Sequence, residues 1–376
     1  MAVSFQQPPE RILVRGVNWL GDAVMTTPAL IRLREKFPDA RITLLTPEKL
    51  RDLYLHHPAV NETIGVAVGE GLLTVSDKLR SGNFDLAVLF PNSPRSALEV
   101  YFAGIPRRVG YARPWRNLFL THQVPSRSGH VPMRKRTPGE IRRLIVQPRA
   151  SVSQNLPATA HHVHEYLHLV SALGANPEPV PPALYMPPNE VLRTAWSLPQ
   201  SAATDYLIGL NPGAEYGPAK RWPLERFAQV ANELYGKISC QFLIFGGTGD
   251  VSLAEQLVTL LPIPAGKGHV VSLAGKTSLR DLMAGLKLCD VLLTNDTGPM
   301  HLAAALGTPV VVPFGSTSPE LTGPGLPGDP QHRLLKSNAV CSPCFLRECP
   351  IDFRCMKGIT VERVVSAVIQ ATAGGE

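Results

Sequence analysis

From residue 205 to residue 315 short apolar runs alternate with amphipathic segments, and this alternation limits the fold more narrowly than any other feature of the chain. The runs YLIGLN, CQFLIFGG, HVVSLAG, VLLTND and PVVVPFG each end in glycine, asparagine or aspartate. Between them LERFAQVANELYG, VSLAEQLVTLL, SLRDLMAGLKLCD and MHLAAALG carry helical periodicity. Strands that are apolar on both faces need cover on both sides of a parallel sheet, and the intervening helices supply it. A doubly wound sheet is therefore predicted.

The first half has the same rhythm. RILVRG, ARITLLTP, the stretch Thr63–Val66 and FDLAVLFPN predict strands. AVMTTPALIRLREKF predicts one helix with Val24, Leu30, Leu33 and Phe37 on a single face, and a further helical segment runs toward His57. HHVHEYLHLVSALGA (161–175) predicts a helix closed by glycine, and TVERVVSAVIQATAG (360–374) a final amphipathic one. A chain of 376 residues exceeds what one hydrophobic core supports. The expectation is α/β, with a domain over 1–190, a second over 191–358 and a closing helix over 359–376. The proline-rich NPEPVPPALYMPPNE serves as the linker. Ligands of open α/β sheets sit beyond the carboxyl ends of the strands, so the functional residues are sought there, in a cleft between two such domains.

No apolar run reaches the roughly 18 residues of a membrane span. MAVSFQQPPERILVRG lacks the apolar core of a signal peptide, so a cytoplasmic protein is predicted. The net charge of +7 is unevenly placed: Arg107 to Arg149 holds eleven Lys or Arg against Glu140 alone, a local +10 that leaves −3 elsewhere. Such a field suits an anionic partner such as phospholipid, lipopolysaccharide core or nucleic acid, or else belongs to a solvated, partly disordered basic loop. Few aromatics interleave with these charges and no RNA-binding signature is present, which argues against nucleic acid. Residues 126–160, rich in Arg, Ser, Pro and Gln without a sustained period, predict a mobile loop. Cys240 and Cys289 read as small core residues. Cys341, Cys344, Cys349 and Cys355 form a C-x2-C-x4-C-x5-C cluster, for which zinc, reduced thiols and disulfides all stay open.

Four strand ends carry the chemistry. In RGVNWLGDAVMTTPAL, Gly16 and Gly21 bracket a turn that ends at Asp22. It has neither the G-x-G-x-x-G spacing nor a Walker lysine, so NAD and ATP are disfavoured. A carboxylate there suits a general base or a helix cap. In LNPGAEYGPAKRWPLERF, backbone amides with Lys220 or Arg221 could hold a diphosphate, or Lys220 could be a surface charge and Trp222 a core plug. In FGGTGDVSLAEQL, Asp250 caps a helix or binds a ribose hydroxyl. In LTNDTGPMHLAAALG, Asp296 or Thr297 caps the helix, Gly298 lets a ligand approach the backbone, and the free amides favour a phosphate, with His301 in the first turn.

Taken together these segments resemble the bacterial lipopolysaccharide heptosyltransferases of glycosyltransferase family 9, its type II members above all. The resemblance runs from about residue 11 to residue 365 and is carried by ILVRGVNWLGDAVMTTPAL, PGAEYGPAKRWP, TNDTGPMHLAAALGTPVVVPFGSTSPELTGP and CSPCFLRECPIDFRCM. It implies a GT-B fold, two Rossmann-like domains with the active site between them. It also implies inverting transfer from ADP-L-glycero-β-D-manno-heptose to the inner core, heptosyl-Kdo-lipid A, with no cofactor or metal required. The family's catalytic aspartate falls on Asp22 and its phosphate-loop lysine on Lys220. Donor contacts fall on Gly213, Ala214, Glu215, Tyr216, Lys220, Asp296, Thr297, Gly298, Pro299 and His301, and the adenine loop on Gly275–Ser278 with Thr277. The acceptor side falls on Asn18 and Trp19. Lys220 and the helix start at Thr297–His301 would stabilise charge growing on the leaving diphosphate. The cysteine tail is read as structural rather than as a metal site. The basic segment 126–160 is longer than is usual in the family and would cover the acceptor side or face anionic lipid. The implied partners are the nucleotide sugar, the lipopolysaccharide acceptor and, peripherally, the inner membrane; the oligomeric state is left open. Two rival readings are a type I acceptor and a non-catalytic nucleotide-sugar-binding module.

Overall fold

A computed structural model describes residues 5, 7–147, 156–198, 205–263 and 269–373. The chain divides into two compact units, one of residues 1–130 with 159–185 and one of 131–158 with 186–376. The first holds β1 (Arg11–Arg15), β2 (Arg41–Pro47), β3 (Glu62–Val66), β4 (Leu86–Leu89), β5 (Arg107–Tyr111) and β6 (His122–Val124), in the order β3-β2-β1-β4-β5-β6. The second holds β7 (Tyr206–Asn211), β8 (Cys240–Ile244), β9 (Val270–Ser272), β10 (Val291–Thr294), β11 (Val310–Phe314) and β12 (Arg333–Lys336), in the order β12-β11-β10-β7-β8-β9. All ten strand pairings are parallel. Counted from its own first strand, each sheet follows the Rossmann order 3-2-1-4-5-6, so the doubly wound expectation holds twice.

Three strands escape the sequence pattern. β5 opens on two arginines, while β6 (HQV) and β12 (RLLK) are short, polar and at sheet edges. An edge strand is half solvated, so its residues need not be apolar, and only pairing to β5 or β11 reveals it. The segment after β2 is a 3₁₀ helix over Glu48–Tyr54 rather than an α-helix.

The single helix expected over 23–37 is two, Leu20–Met25 and Thr27–Lys36, parted at Thr26. Pro28 has no N–H for the carbonyl of Val24, four residues back. The Thr27 hydroxyl donates to that carbonyl instead at 2.8 Å, and Thr26 Oγ1 donates to Ala23 O at 2.7 Å. Nor is 126–160 structureless: Pro138–Val146 is a helix with a reciprocal capping box between Thr137 and Glu140, and Pro138 in its first turn. Its Ile141 is buried with Cys341 and Cys344. Residues 148–155 of that segment lie outside the described residues.

The tail helix Val361–Ala373 buries Val364, Val365 and Val368 against Trp222, Phe227 and Leu234 of the second unit. In the first unit Leu13, Leu89, Val75 and Val100 share one core. Beside it the Arg15 Nε donates to Glu99 Oε2 at 2.8 Å, with Glu99 fully buried, and Arg15 Nη1 donates to Gly16 O at 2.7 Å. Arg95 reaches the other Glu99 oxygen at 3.0 Å. The pair fixes the chain where β1 turns toward Asp22. Glu99→Gln, which strands the Arg15 charge, is expected to destabilise the protein by about 3–5 kcal/mol in denaturant unfolding.

Candidate active site

In the first unit the loop between β1 and the helix Leu20–Met25 lies beside β4, where the strand order reverses. Asn18 and Trp19 stand exposed in it, Trp19 at the N-cap position without a side-chain capping bond. Asp22 lies in the first helical turn and is half-buried, so it is not the cap residue; a carboxylate there is favoured by the helix dipole. Burial, reinforced by the Asp22 carboxylate, pushes the Tyr166 phenol well above its usual range. Tyr166, on the helix Val163–Ser171, packs edge-on against Phe90 at 5.4 Å, just past the end of β4. It thus joins the surroundings of Asp22. No motif in HHVHEYLHL announced it, because its place depends on how that helix crosses the sheet.

In the second unit the corresponding switch point lies between β7 and β10, and the loops that follow them meet there. Lys220 Nζ contacts Asp296 Oδ2 at 2.7 Å, both side chains largely buried, which joins PGAEYGPAKRWP to TNDTG. Thr317, after β11, donates its hydroxyl to the same Asp296 oxygen at 2.5 Å. Asp296 therefore does not cap the helix Gly298–Ala305; Thr297 holds the N-cap position, also without a side-chain cap bond. The next residue back, Asn295, accepts from Trp222 N at 2.9 Å and donates to Pro212 O at 2.7 Å, locking the two loops together. Trp222 is the core plug, 1% exposed.

The lysine is held from a second side. Its ammonium lies 5.1 Å from the centre of the Tyr216 ring, the Arg347 guanidinium also lies 5.1 Å from that centre, and the Tyr216 hydroxyl donates to Phe345 O at 2.9 Å. Gly217 sits at φ 151°, ψ 167°, backbone that only glycine adopts readily, and a Cβ there would lie 2.6 Å from Arg347 O. At Gly213 a Cβ would meet the Asp250 carboxylate at 2.6 Å, while that carboxylate accepts from Gly247 N at 3.1 Å. Ala214 is buried and Glu215 exposed. Thr277 precedes Ser278, which caps the helix Leu279–Leu288, and Pro299 stands in the first turn of Gly298–Ala305. Burial lowers the His301 imidazole to about 4, with Asp296 opposing and Lys220 assisting, so His301 is a neutral donor or acceptor at neutral pH. The switch point of this unit thus presents a fixed ammonium and a helix N-terminus, a pairing suited to a diphosphate.

All four tail cysteines are free, and three are buried; burial raises the thiols of Cys341, Cys344 and Cys355, the last to about 12. Among the described residues no three His, Cys, Asp or Glu side chains are grouped to hold a metal ion.

Residues 140–353 match the sequence profile of glycosyltransferase family 9 (heptosyltransferase). The chain belongs to that family. The lipopolysaccharide heptosyltransferase 2 of Salmonella typhimurium is 31% identical over 326 residues, 84% of this chain and 85% of its own. The enzyme of the same name from Escherichia coli K12 is 31% identical over 321 residues, with the same coverage of both chains. The solved structure of the E. coli ADP-heptose lipopolysaccharide heptosyltransferase II aligns with a TM-score of 0.75 at 28% identity, over 97% of this chain and 99% of that one. The fold class is accordingly GT-B, with one Rossmann-like sheet in each unit. As a family 9 glycosyltransferase the protein is an enzyme, and residue 140 to residue 353, the matched span, includes both loops joined by Lys220 and Asp296.

Proposed function

We propose that the protein transfers L-glycero-D-manno-heptose from ADP-L-glycero-β-D-manno-heptose to heptosyl-Kdo-lipid A, the growing inner core of lipopolysaccharide. The observation that carries this reading is the Lys220–Asp296 pair at the β7/β10 switch point, in a chain 31% identical to heptosyltransferase 2 enzymes over 84% of its length. The donor diphosphate binds against Lys220, Thr297, Gly298 and the first turn bearing Pro299 and His301. The loop Gly213–Tyr216 shapes the sugar side, and Thr277 borders the adenine.

Asp22 accepts the proton of an acceptor heptose hydroxyl while that oxygen bonds to the anomeric carbon of the donor. The bond from that carbon to the β-phosphate oxygen breaks, its electron pair leaves with ADP, and attack from the face opposite ADP inverts the centre. Negative charge moves from the Asp22 side to the diphosphate, where Lys220 and the helix N-terminus are already in place and need little reorganisation. Asn18 and Trp19, next to Asp22 and exposed, hold the acceptor sugar. No step uses a cofactor. A cytoplasmic site of action fits an ADP-sugar donor, and among the described residues no helix is long and apolar enough to cross a membrane.

Acceptors carrying zero, one or two heptoses, each offered with ADP-heptose, test the reading. Turnover is expected on the one-heptose acceptor. Preference for the heptose-free acceptor would place the protein with type I transferases, and ADP-heptose binding without any transfer would make it a binding module.

A further inference from the structure

Between Glu99 and Glu140 the chain has eight Lys or Arg and no acidic residue. Within the first unit that stretch also holds the most exposed aromatic side chain among the described residues. Trp115 is 85% exposed, Leu118 is 87% exposed, and both lie in the connection between β5 and β6. Phe119 leads from them to Tyr101 at 5.3 Å, and Tyr101 to Phe102 at 5.5 Å, the last two each more than 40% exposed. The helix that ends at Phe102 and the turn Asn117–Phe119 adjoin, so these side chains put an apolar patch on a surface that soluble proteins normally keep polar.

The fold goes to some length to hold the indole outward. Trp115 has φ +66°, a left-handed conformation that a bulky residue adopts only under constraint. Its neighbour Arg116 is fully buried and pins the loop by donating to Pro91 O at 2.8 Å and Asn92 Oδ1 at 3.2 Å, while its Nε and Nη2 have no partner. Asn117 Oδ1 accepts from Arg113 N at 2.8 Å and closes the turn. A buried guanidinium and a strained tryptophan both cost stability, and neither adds apolar contacts to the core. Arg108 and Arg113 flank the patch. Their side chains bond to backbone carbonyls and to Ser126 Oγ and lie over the Tyr101 and Tyr111 rings, and among the described residues no carboxylate neutralises either charge. Arg80 reaches the other end through Phe102 O at 3.0 Å.

We propose that this patch docks the protein on an anionic phospholipid bilayer, with Trp115 and Leu118 entering the headgroup layer and Arg108 and Arg113 facing the phosphates. An indole flanked by cations is the side-chain pairing that membrane interfaces select, because the ring tolerates partial hydration and the charges meet lipid phosphate. For the reaction proposed above, whose acceptor is itself lipid-anchored, docking brings the first unit to its substrate; the docking itself does not require that reading.

Co-sedimentation of the full chain with phosphatidylcholine vesicles, with and without phosphatidylglycerol, decides it. Binding is expected only to vesicles containing phosphatidylglycerol. It should fall about fivefold for Arg113→Gln and about tenfold or more for Trp115→Ala with Leu118→Ser. Thermal unfolding and transfer to an acceptor stripped of its acyl chains should stay at wild-type values in the Trp115→Ala, Leu118→Ser variant. Equal binding to both vesicles, no binding, or undiminished binding by the variants would overturn the proposal. So would a wild-type dimer that Trp115→Ala converts to monomer, since a second copy would then cover the patch. Vesicle binding without transfer to any acceptor would instead remove the heptosyltransferase reading and leave docking intact.

Discussion

Asp22→Asn is expected to lower kcat for heptose transfer by about 10²–10⁴-fold, the range for losing a positioned general base. The amide is isosteric and cannot take the acceptor proton. Asp22 is half-buried in the first turn of a helix and not its cap, and thermal unfolding of the variant checks that the first unit stays folded. ADP affinity should be unaltered, since the diphosphate is assigned to the second unit's loops. Single-turnover rates set beside calorimetric ADP binding separate the two effects. A variant that turns over within tenfold of wild type would end the assignment of Asp22 as base.

Lys220→Met should lower kcat/KM by about 10²–10³-fold, as removal of one preorganised charge-stabilising donor does, and should weaken ADP binding as well. It should also destabilise the fold by about 3–5 kcal/mol, because Asp296, 3% exposed, loses the ammonium that balances its charge and keeps the Thr317 hydroxyl bond. The double variant Lys220→Met with Asp296→Asn resolves these roles. With no carboxylate left to compensate, stability should return most of the way while transfer stays lost. Recovery of transfer along with stability would show that Lys220 serves only to neutralise Asp296.

The two candidate sites were legible to different depths. Asp22, Lys220, Asp296 and His301 stand in motifs whose glycines and prolines mark them as strand-to-helix turns, so their edge of the sheet could be read directly. What no motif disclosed is that Lys220 and Asp296, 76 residues apart in the chain, are ion-paired, or that Thr317 shares the same carboxylate oxygen. Those contacts exist because β10 pairs with β7 and with β11, a register that alternating apolar runs do not encode. The helix at 138–146 is a different case. Its capping box, Thr137 to Glu140, was written in the sequence and was masked by the surrounding arginines and prolines.

Alternation of apolar runs with helical segments determined the doubly wound class and the strand-to-helix turns that carry the site motifs, because burying both faces of a parallel sheet leaves few other patterns; the strand order, and with it the switch points, came from the pairing. Charge counting likewise placed the basic stretch beginning at Arg107. Only tertiary structure decided which charges are compensated. It buried Glu99 against Arg15, lodged Arg116 beneath its loop and turned Trp115 to solvent. Compensation depends on distances across strands and loops far apart in sequence, and a linear order of residues carries no such distances.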